Sequence, residues 1–461
     1  MAIPERVQPV LDEVRPLADR FTSAGYAVYL VGGTVRDLLL GRPLTRDFDF
    51  TTDARPDDIE RLLTGWADAV WTTGKRFGTI GAKRGDREYE ITTHRAEAYV
   101  PDSRKPDVQF SDRVEPDLSR RDFTVNAMAL RLPEPELIDP FGGAADLVAK
   151  RLRTPLAPEE SFTDDPLRML RAARFLSGYD LEPDADLVHA VEALHDRLEI
   201  VSAERIRDEL DKLLVVERPG RGLWFLVDTG LASQFLPELP GLALEQDPIH
   251  RHKDVLAHTI AVVEKTSADK VLRLAALLHD IGKPKTRSFV PGGRVTFHHH
   301  EVVGARMARD RLTALRYPHD EVEAVSRLVE LHLRFHTYKM GWTDAAVRRY
   351  VRDAGEHLDR LNELTRCDCT TRNERKAQAL DRRMDALEAR IAELRAKEEL
   401  DRIRPDLDGN QVMRHLGLRP GRAVGEALAM LLELRLEEGP LEEEEAYRRL
   451  DAWWAARAPA D

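Results

Sequence analysis

The sequence predicts an α+β head followed by an all-α body, and three observations predict it. Strand-like runs of period-two alternation, glycine turns and short helical stretches crowd the residues before about 150. From there onward apolar residues recur at three and four, broken only by short Pro and Gly interruptions. Between Glu374 and Glu399, Leu380, Met384, Leu387, Ile391 and Leu394 step by four and three through a charged background, which predicts one long helix.

The head reads element by element. An amphipathic helix ends near Gly25, "YAVYLV" forms a strand, and Gly32-Gly33 turns it into the helix "TVRDLLLG". After the loop "GRPLTR" comes the strand "DFDFTT", then a helix around "RPDDIERLLTGW", then the strands "FGTIGAK" and "REYEITTHR". The Pro, Ser and charge content of "YVPDSRKPDVQFSDRVEPDLS" reads as a mobile loop.

Size and composition bound the function. A chain of 461 residues exceeds what one core holds and implies several domains. The expected division is a head over 1–150, a helical neck over 151–225, a third domain over 226–370 and a C-terminal helical body over 371–461. With 42% hydrophobic and 33% charged residues the balance is globular. A net charge of -12 argues against indiscriminate nucleic-acid binding, so any such binding must rest on local basic patches. Arg348, Arg349, Arg366, Arg372, Arg375 and Lys376 offer such charge in the helical body. Cys367 and Cys369, the only cysteines, are too close to staple a fold, and no export signal or membrane-spanning run is apparent. A cytoplasmic protein is expected.

Chemistry begins at "RDFDFTT". On a strand Asp47 and Asp49 project to one face while Phe48 and Phe50 anchor the other. Two adjacent carboxylates repel unless a cation sits between them, and Mg²⁺, an oxygen-seeking ion often shared with substrate phosphates, resolves the conflict. The turn at Gly32 and Gly33 allows close backbone approach to a phosphate, with Arg36 one turn further on. Glu88 and Glu90 share a face of the strand "REYEITT", and Glu90 is the preferred third acid. Each feature alone has a bland reading, as an exposed acidic strand or a structural turn.

Together the motifs "LVGGTVRDLLLGRPLTRDFDFTT", "LSRRDFTVNAMAL", "DPFGGAADL", "FTDDPLRMLRAARF" and "SAERIRDEL", in this order, resemble those of class II tRNA nucleotidyltransferases, the CCA-adding enzymes, and of bacterial poly(A) polymerases. The resemblance implies a polymerase-β-type nucleotidyltransferase head in which Asp47 and Asp49 bind Mg²⁺ while an RNA 3′-hydroxyl attacks the nucleotide α-phosphate. It also implies that Gly33, Arg36 and Arg121 contact the nucleotide, and that Asp122 and Asn126 shape the sugar and phosphate site.

Asp165, Arg168, Arg171 and Arg174 are spaced by three, which predicts one face of a helix. Cytosine and adenine both show an exocyclic amino donor beside a ring-nitrogen acceptor, so an Asp acceptor beside an Arg donor can select C and A together. By the family resemblance Asp165 and Arg168 read the base, with Arg171 and Arg174 as further nucleotide contacts. The family motif begins with Glu where this chain has Asp164.

A second chemistry lies in "HKDVLAHT", "LAALLHDIGKPKT" and "HHHEVVGA". His258 and His279-Asp280, with Asp368 as the closing acid, resemble the metal pattern of an HD domain, and His300 and His332 are further candidate ligands. Imidazole and carboxylate together suit a transition metal that activates water for phosphoester hydrolysis. The expected function is template-independent addition of CCA to tRNA 3′ ends from CTP and ATP. The alternatives are an A-adding enzyme or poly(A) polymerase with the same head, and an HD-type metal-dependent phosphohydrolase.

Overall fold

The computed structural model describes residues 7–43, 46–98, 107–244, 254–289, 295–337, 342–369 and 374–457. It divides into two compact units, Met1–Phe235 and Leu236–Asp461. Residues 99–106 of the segment read as a mobile loop, together with Arg372 and the side chain of Lys376, lie outside the described residues, and the rest of that segment folds as a strand (Asp107–Phe110) and a helix (Val114–Ser119) rather than as a loop.

The first unit opens with α1 (Gln8–Ser23), whose Val10, Leu11, Val14, Leu17 and Phe21 form a buried helical stripe. There follow β1 (Val28–Val31), α2 (Gly33–Leu40), β2 (Asp47–Thr52), α3 (Pro56–Leu63), β3 (Ala69–Trp71), β4 (Thr79–Arg84) and β5 (Arg87–Thr93). The pair β6 (Arg95–Ala98) and β7 (Asp107–Phe110) stands apart as its own ribbon. Then come α4 (Val114–Ser119), β8 (Ala129–Leu132), β9 (Glu136–Ile138) and α5 (Gly143–Ala149).

Seven strands make one sheet in the order β3-β4-β5-β2-β1-β8-β9. All pairings are antiparallel except β2 with β5. That parallel pair sets the register that matters most, since Asp47 lies opposite Glu88 and Asp49 opposite Glu90. On β2 the alternation holds: Phe48 and Phe50 are buried and Asp47 and Asp49 exposed. Burying each phenylalanine stabilises this geometry by roughly 2–3 kcal/mol.

The neck is helical apart from a two-residue parallel bridge between β10 (Arg151–Leu152) and β11 (Glu182–Pro183). Its helices are α6 (Pro158–Asp164), α7 (Leu167–Gly178), α8 (Ala185–Leu194), α9 (Ala203–Leu214), α10 (Gly220–Asp228) and α11 (Leu231–Phe235). One expectation fails here: Asp165 does not share a helix face with the arginines. It sits between α6 and α7 with φ -139 and ψ 98, because the following Pro166 disfavours helical backbone at the residue before it.

In the second unit α12 (Val255–Lys265) and α13 (Lys270–Leu278) each start at an aspartate, Asp254 and Asp269, whose carboxylate caps a free N–H of the first turn. Next come α14 (Lys283–Thr286), the hairpin β12 (Arg287–Phe289) with β13 (Val295–Phe297), α15 (His300–Ala314) and α16 (His319–Leu331). The hairpin and the neck's short bridge are the only strands in a body expected to be helical throughout, among the described residues. The chain continues through α17 (Asp344–Ala354), α18 (Leu358–Cys367), α19 (Glu374–Lys397), α20 (Gly409–Leu416), α21 (Arg422–Glu438) and α22 (Glu443–Ala455). On α19 Met384, Leu387, Ile391 and Leu394 are buried as their spacing predicts. No helix among the described residues is long and apolar enough to cross a membrane.

Candidate active site and histidine cluster

A cleft of about 320 Å³ opens beside β2, lined by Gly33, Thr34, Arg36, Asp37, Asp47, Asp49, Glu88 and Glu90. The acids meet there because β2 and β5 run parallel in register and alternate their faces together. Asp49 has its pKa raised by the protein crowded around it, partly offset by Arg121 and reinforced by Asp47. Glu90 is raised too, by burial first and then by Asp49, Asp47 and Glu88. Acids that repel one another in a cleft favour a cation between them, and an all-oxygen donor set fits a hard divalent cation.

Gly32 has φ +69, a conformation that favours glycine, and a Cβ there would lie 3.0 Å from Arg121 Nη1 and 3.7 Å from Asp49 Oδ2. The turn therefore lets Arg121 reach the acids. Arg36 lies in the cleft wall, but its guanidinium is braced. It donates to both oxygens of Asp37 at 3.0 and 2.9 Å and to Asn126 Oδ1 at 2.6 Å, and it stacks 4.0 Å over the Tyr179 ring.

Asp122 joins head to neck within this unit. It accepts from Asn126 Nδ2 at 2.9 Å and from Arg171 Nε at 2.8 Å. Burial pushes its carboxyl upward, but Arg171 and Asn126 outweigh that and hold it far below the usual carboxylate range. Arg174 donates to the buried Glu209 of α9 at 2.7 Å, and Arg171 lies 3.6 Å from the same carboxylate. Arg168 is buried and donates to Ser161 Oγ at 2.9 Å and to the carbonyl of Arg120. Asp165 pairs with Arg205 at 2.9 Å and accepts from the Leu167 N–H at 3.2 Å. The arginine stripe is thus anchored to acids and carbonyls rather than presented as an open basic face.

In the second unit His258, His279, Asp280 and Asp368 converge, as their sequence order predicts. His258 Nε2 lies 2.9 Å from Asp368 Oδ1 and 3.6 Å from Asp280 Oδ2, and His279 Nε2 lies 3.2 Å from Asp280 Oδ2. His300 and His332 join them, forming a second ligand group that shares Asp280. The Nδ1 atoms of His279, His300 and His332 face the carbonyls of Ala276, Phe297 and Val329 at 2.7, 2.8 and 2.6 Å. Donation there leaves the Nε2 atoms of His300 and His332 as acceptors aimed inward, the arrangement that carbonyls behind metal-binding histidines impose, while His279 Nε2 faces the Asp280 and Asp368 carboxylates.

Among the described residues Nε2 of His300 and of His332 is buried without a hydrogen-bond partner, although His300 Nε2 lies 3.4 Å from Asp280 Oδ1. Burial lowers the His279 pKa, but Asp280 and Asp368 overcome it and raise it to about 10. Burial and His279 push His332 down to about 3. This donor set fits a metal cation. Lys283, 2.6 Å from Asp280 Oδ2, supplies positive charge at its edge.

Several participants escape sequence reasoning. Asp117 and Ser161 lie outside the motifs, Asp37, Arg205 and Glu209 lie within them without an assigned role, and each acts through a partner. Of the basic residues in the body, Arg348 is buried on Glu398 at 2.9 Å, Arg349 binds Glu437 at 2.6 Å and Arg366 binds Asp385 and Glu388 at 2.8 Å. Their charge is largely spent within the protein.

A mixed sheet presenting two carboxylates beside a glycine turn, followed by helices that gather a histidine and aspartate cluster, defines a nucleotidyltransferase with an HD domain. Family models agree: residues 28–153 match the poly A polymerase head domain, 180–242 the "probable RNA and SrmB- binding site of polymerase A", and 255–394 the HD domain. An A-adding tRNA nucleotidyltransferase of Deinococcus radiodurans is 35% identical over 93% of this chain and 96% of its own. A CCA-adding enzyme of Streptococcus pyogenes is 30% identical over 96% of this chain and 95% of its own.

Among solved structures, the Bacillus stearothermophilus CCA-adding enzyme in complex with CTP aligns with TM-score 0.73 and 25% identity, covering 98% of this chain and 99% of that one. A Thermotoga maritima CCA-adding enzyme complexed with tRNA shares the fold at TM-score 0.59 and 21% identity, with 98% and 97% covered. The chain belongs to the class II CCA-adding and poly(A) polymerase family of tRNA nucleotidyltransferases.

Proposed function

We propose that this enzyme adds C, C and A to tRNA 3′ ends from CTP and ATP. The observation that carries the reading is the register of β2 and β5, which puts Asp47, Asp49 and Glu90 on one wall of the cleft beside the Gly32 turn. Asp47 and Asp49 would hold Mg²⁺, with Glu90 as the third acid. When bound, the ion supplies charge neutralisation for the attacking hydroxyl oxygen and the departing pyrophosphate.

The chain's own residues do the rest. Gly32 and Gly33 let the backbone approach the triphosphate, Arg121 offers it positive charge, and Arg36, braced by Asp37 and Asn126, fixes the cleft wall. Asp122 and Asn126 shape the sugar pocket, while Arg171 and Arg174 hold α7 against Asp122 and Glu209. Asp165 and Arg168, on exchanging their contacts with Arg205, Ser161 and the Arg120 carbonyl, would offer an acceptor and a donor that match the amino and ring-nitrogen pattern shared by C and A. The bound partners named for solved relatives, CTP for one and tRNA for another, support this choice of substrates.

A second reading, addition of A alone, is favoured by the likeness to the Deinococcus A-adding enzyme and by Asp164 standing where the family motif has Glu. Extension of tRNA lacking its CCA end, with each nucleotide separately and together, decides between them. The HD cluster supports a further activity, metal-dependent phosphoester hydrolysis, carried by the inward-facing Nε2 atoms of His300 and His332. Loss of phosphatase activity, with retained tRNA extension, in a His279→Ala, Asp280→Ala variant tests it.

A further inference from the structure

We propose that Asp117 is a positioning residue that fixes the Arg121 guanidinium at the lip of the cleft, ready for the phosphates of the incoming nucleoside triphosphate. The inference rests on the reading of Arg121 as a nucleotide contact. Asp117 lies on the short helix α4, with its side chain 1% exposed. Its Oδ1 accepts from Arg120 Nη2 at 3.0 Å and from the backbone N–H of Arg95 at 3.3 Å, and its Oδ2 accepts from Arg121 Nη2 at 3.3 Å. A carboxylate this deeply buried is tolerated only when paired, and here both of its charged partners are consecutive arginines.

Arg121 is divided between two surroundings. Nη2 is held by Asp117, while Nη1 lies over Gly32, 3.0 Å from where a Cβ would stand, on the side of Asp49. Its Nε is buried with no hydrogen-bond partner among the described residues. The guanidinium therefore has one edge anchored and donor capacity left toward the cleft. An unanchored arginine loses rotamer freedom when it grips a ligand, and an anchor set beforehand removes that cost from binding. Glycine at position 32 serves the same end, since a side chain there would displace Nη1.

The test is steady-state extension of tRNA lacking CCA by the full-length protein carrying Asp117→Asn, Arg121→Lys, or both. Asp117→Asn keeps the shape and the acceptor for Arg95 but removes the charge. We expect KM for CTP and for ATP to rise about tenfold in each single variant, with KM for tRNA unchanged. The double variant should be no worse than Arg121→Lys alone, because both changes remove one interaction.

An unchanged nucleotide KM in Asp117→Asn, or effects that multiply in the double variant, overturns the proposal. Should Asp117→Asn not fold by circular dichroism, Asp117→Glu replaces it, with a smaller KM rise that again fails to multiply. A normal nucleotide KM in Arg121→Lys alone contradicts the reading of Arg121 itself, and the inference falls with it.

Discussion

In the proposed function Asp47 and Asp49 are the residues on which the chemistry turns, and their environment predicts how they respond to change. Because Asp49 and Glu90 are held with raised pKa values by crowding and mutual repulsion, replacing Asp47 and Asp49 with Ala should abolish tRNA extension without lowering Tm. Extension assays and thermal melts on the same preparation check both halves. Asp117 behaves oppositely, since Arg120 and Arg121 outweigh burial and pull its pKa to about 2. A folded-state pKa below the unfolded value stabilises fully above the unfolded pKa, and that stabilisation is lost as pH falls through the folded one.

Asp117 should thus contribute on the order of 2 kcal/mol at neutral pH, fading between about pH 4 and pH 2. Urea denaturation of wild type and Asp117→Asn should show a gap at pH 7 that narrows toward pH 3. The two strand acids were legible because period-two alternation is local. The brace on Arg36, the burial of Arg168 and the role of Asp117 were not, since partners such as Asn126 and Ser161 are known only once the chain has folded.

At the scale of elements, α14 and α15 approach so closely that a Cβ on Gly282 would lie 2.2 Å from the carbonyl oxygen of His300 and 2.8 Å from the Gly304 nitrogen. That contact places His300 at the start of α15 within reach of Asp280. Gly282→Ala should force backbone apart, destabilise the second unit by about 1–3 kcal/mol and weaken metal retention, measured by denaturation and by metal content after dialysis. The same substitution at Gly25, where a Cβ meets nothing within 4 Å, strains only the backbone.

Element existence was largely readable from periodicity, as β2 and the buried stripe of α19 show. Two features needed more than periodicity. Asp165 left the helix because Pro166 governs the residue before it, and the hairpin of β12 and β13 interrupts a helical body within a run too short to alternate visibly.

For the whole molecule, two compact units each carry their own cluster of chemistry. Selective variants should separate them: His279→Ala, Asp280→Ala should lose bound transition metal while keeping tRNA extension, and Asp47→Ala, Asp49→Ala should do the reverse. The order of motifs made the family and both side-chain clusters visible in the sequence. The nucleotide choice was less so, because relatives that resemble this chain along nearly its full length include both an A-adding and a CCA-adding enzyme.

The most direct measurement is extension of labelled tRNA lacking its CCA end, with Mg²⁺ and CTP alone, ATP alone, or both. CCA addition predicts two C additions with CTP alone and a terminal A only when ATP is also present. Tailing with ATP that ignores CTP would contradict it and assign the enzyme to A addition.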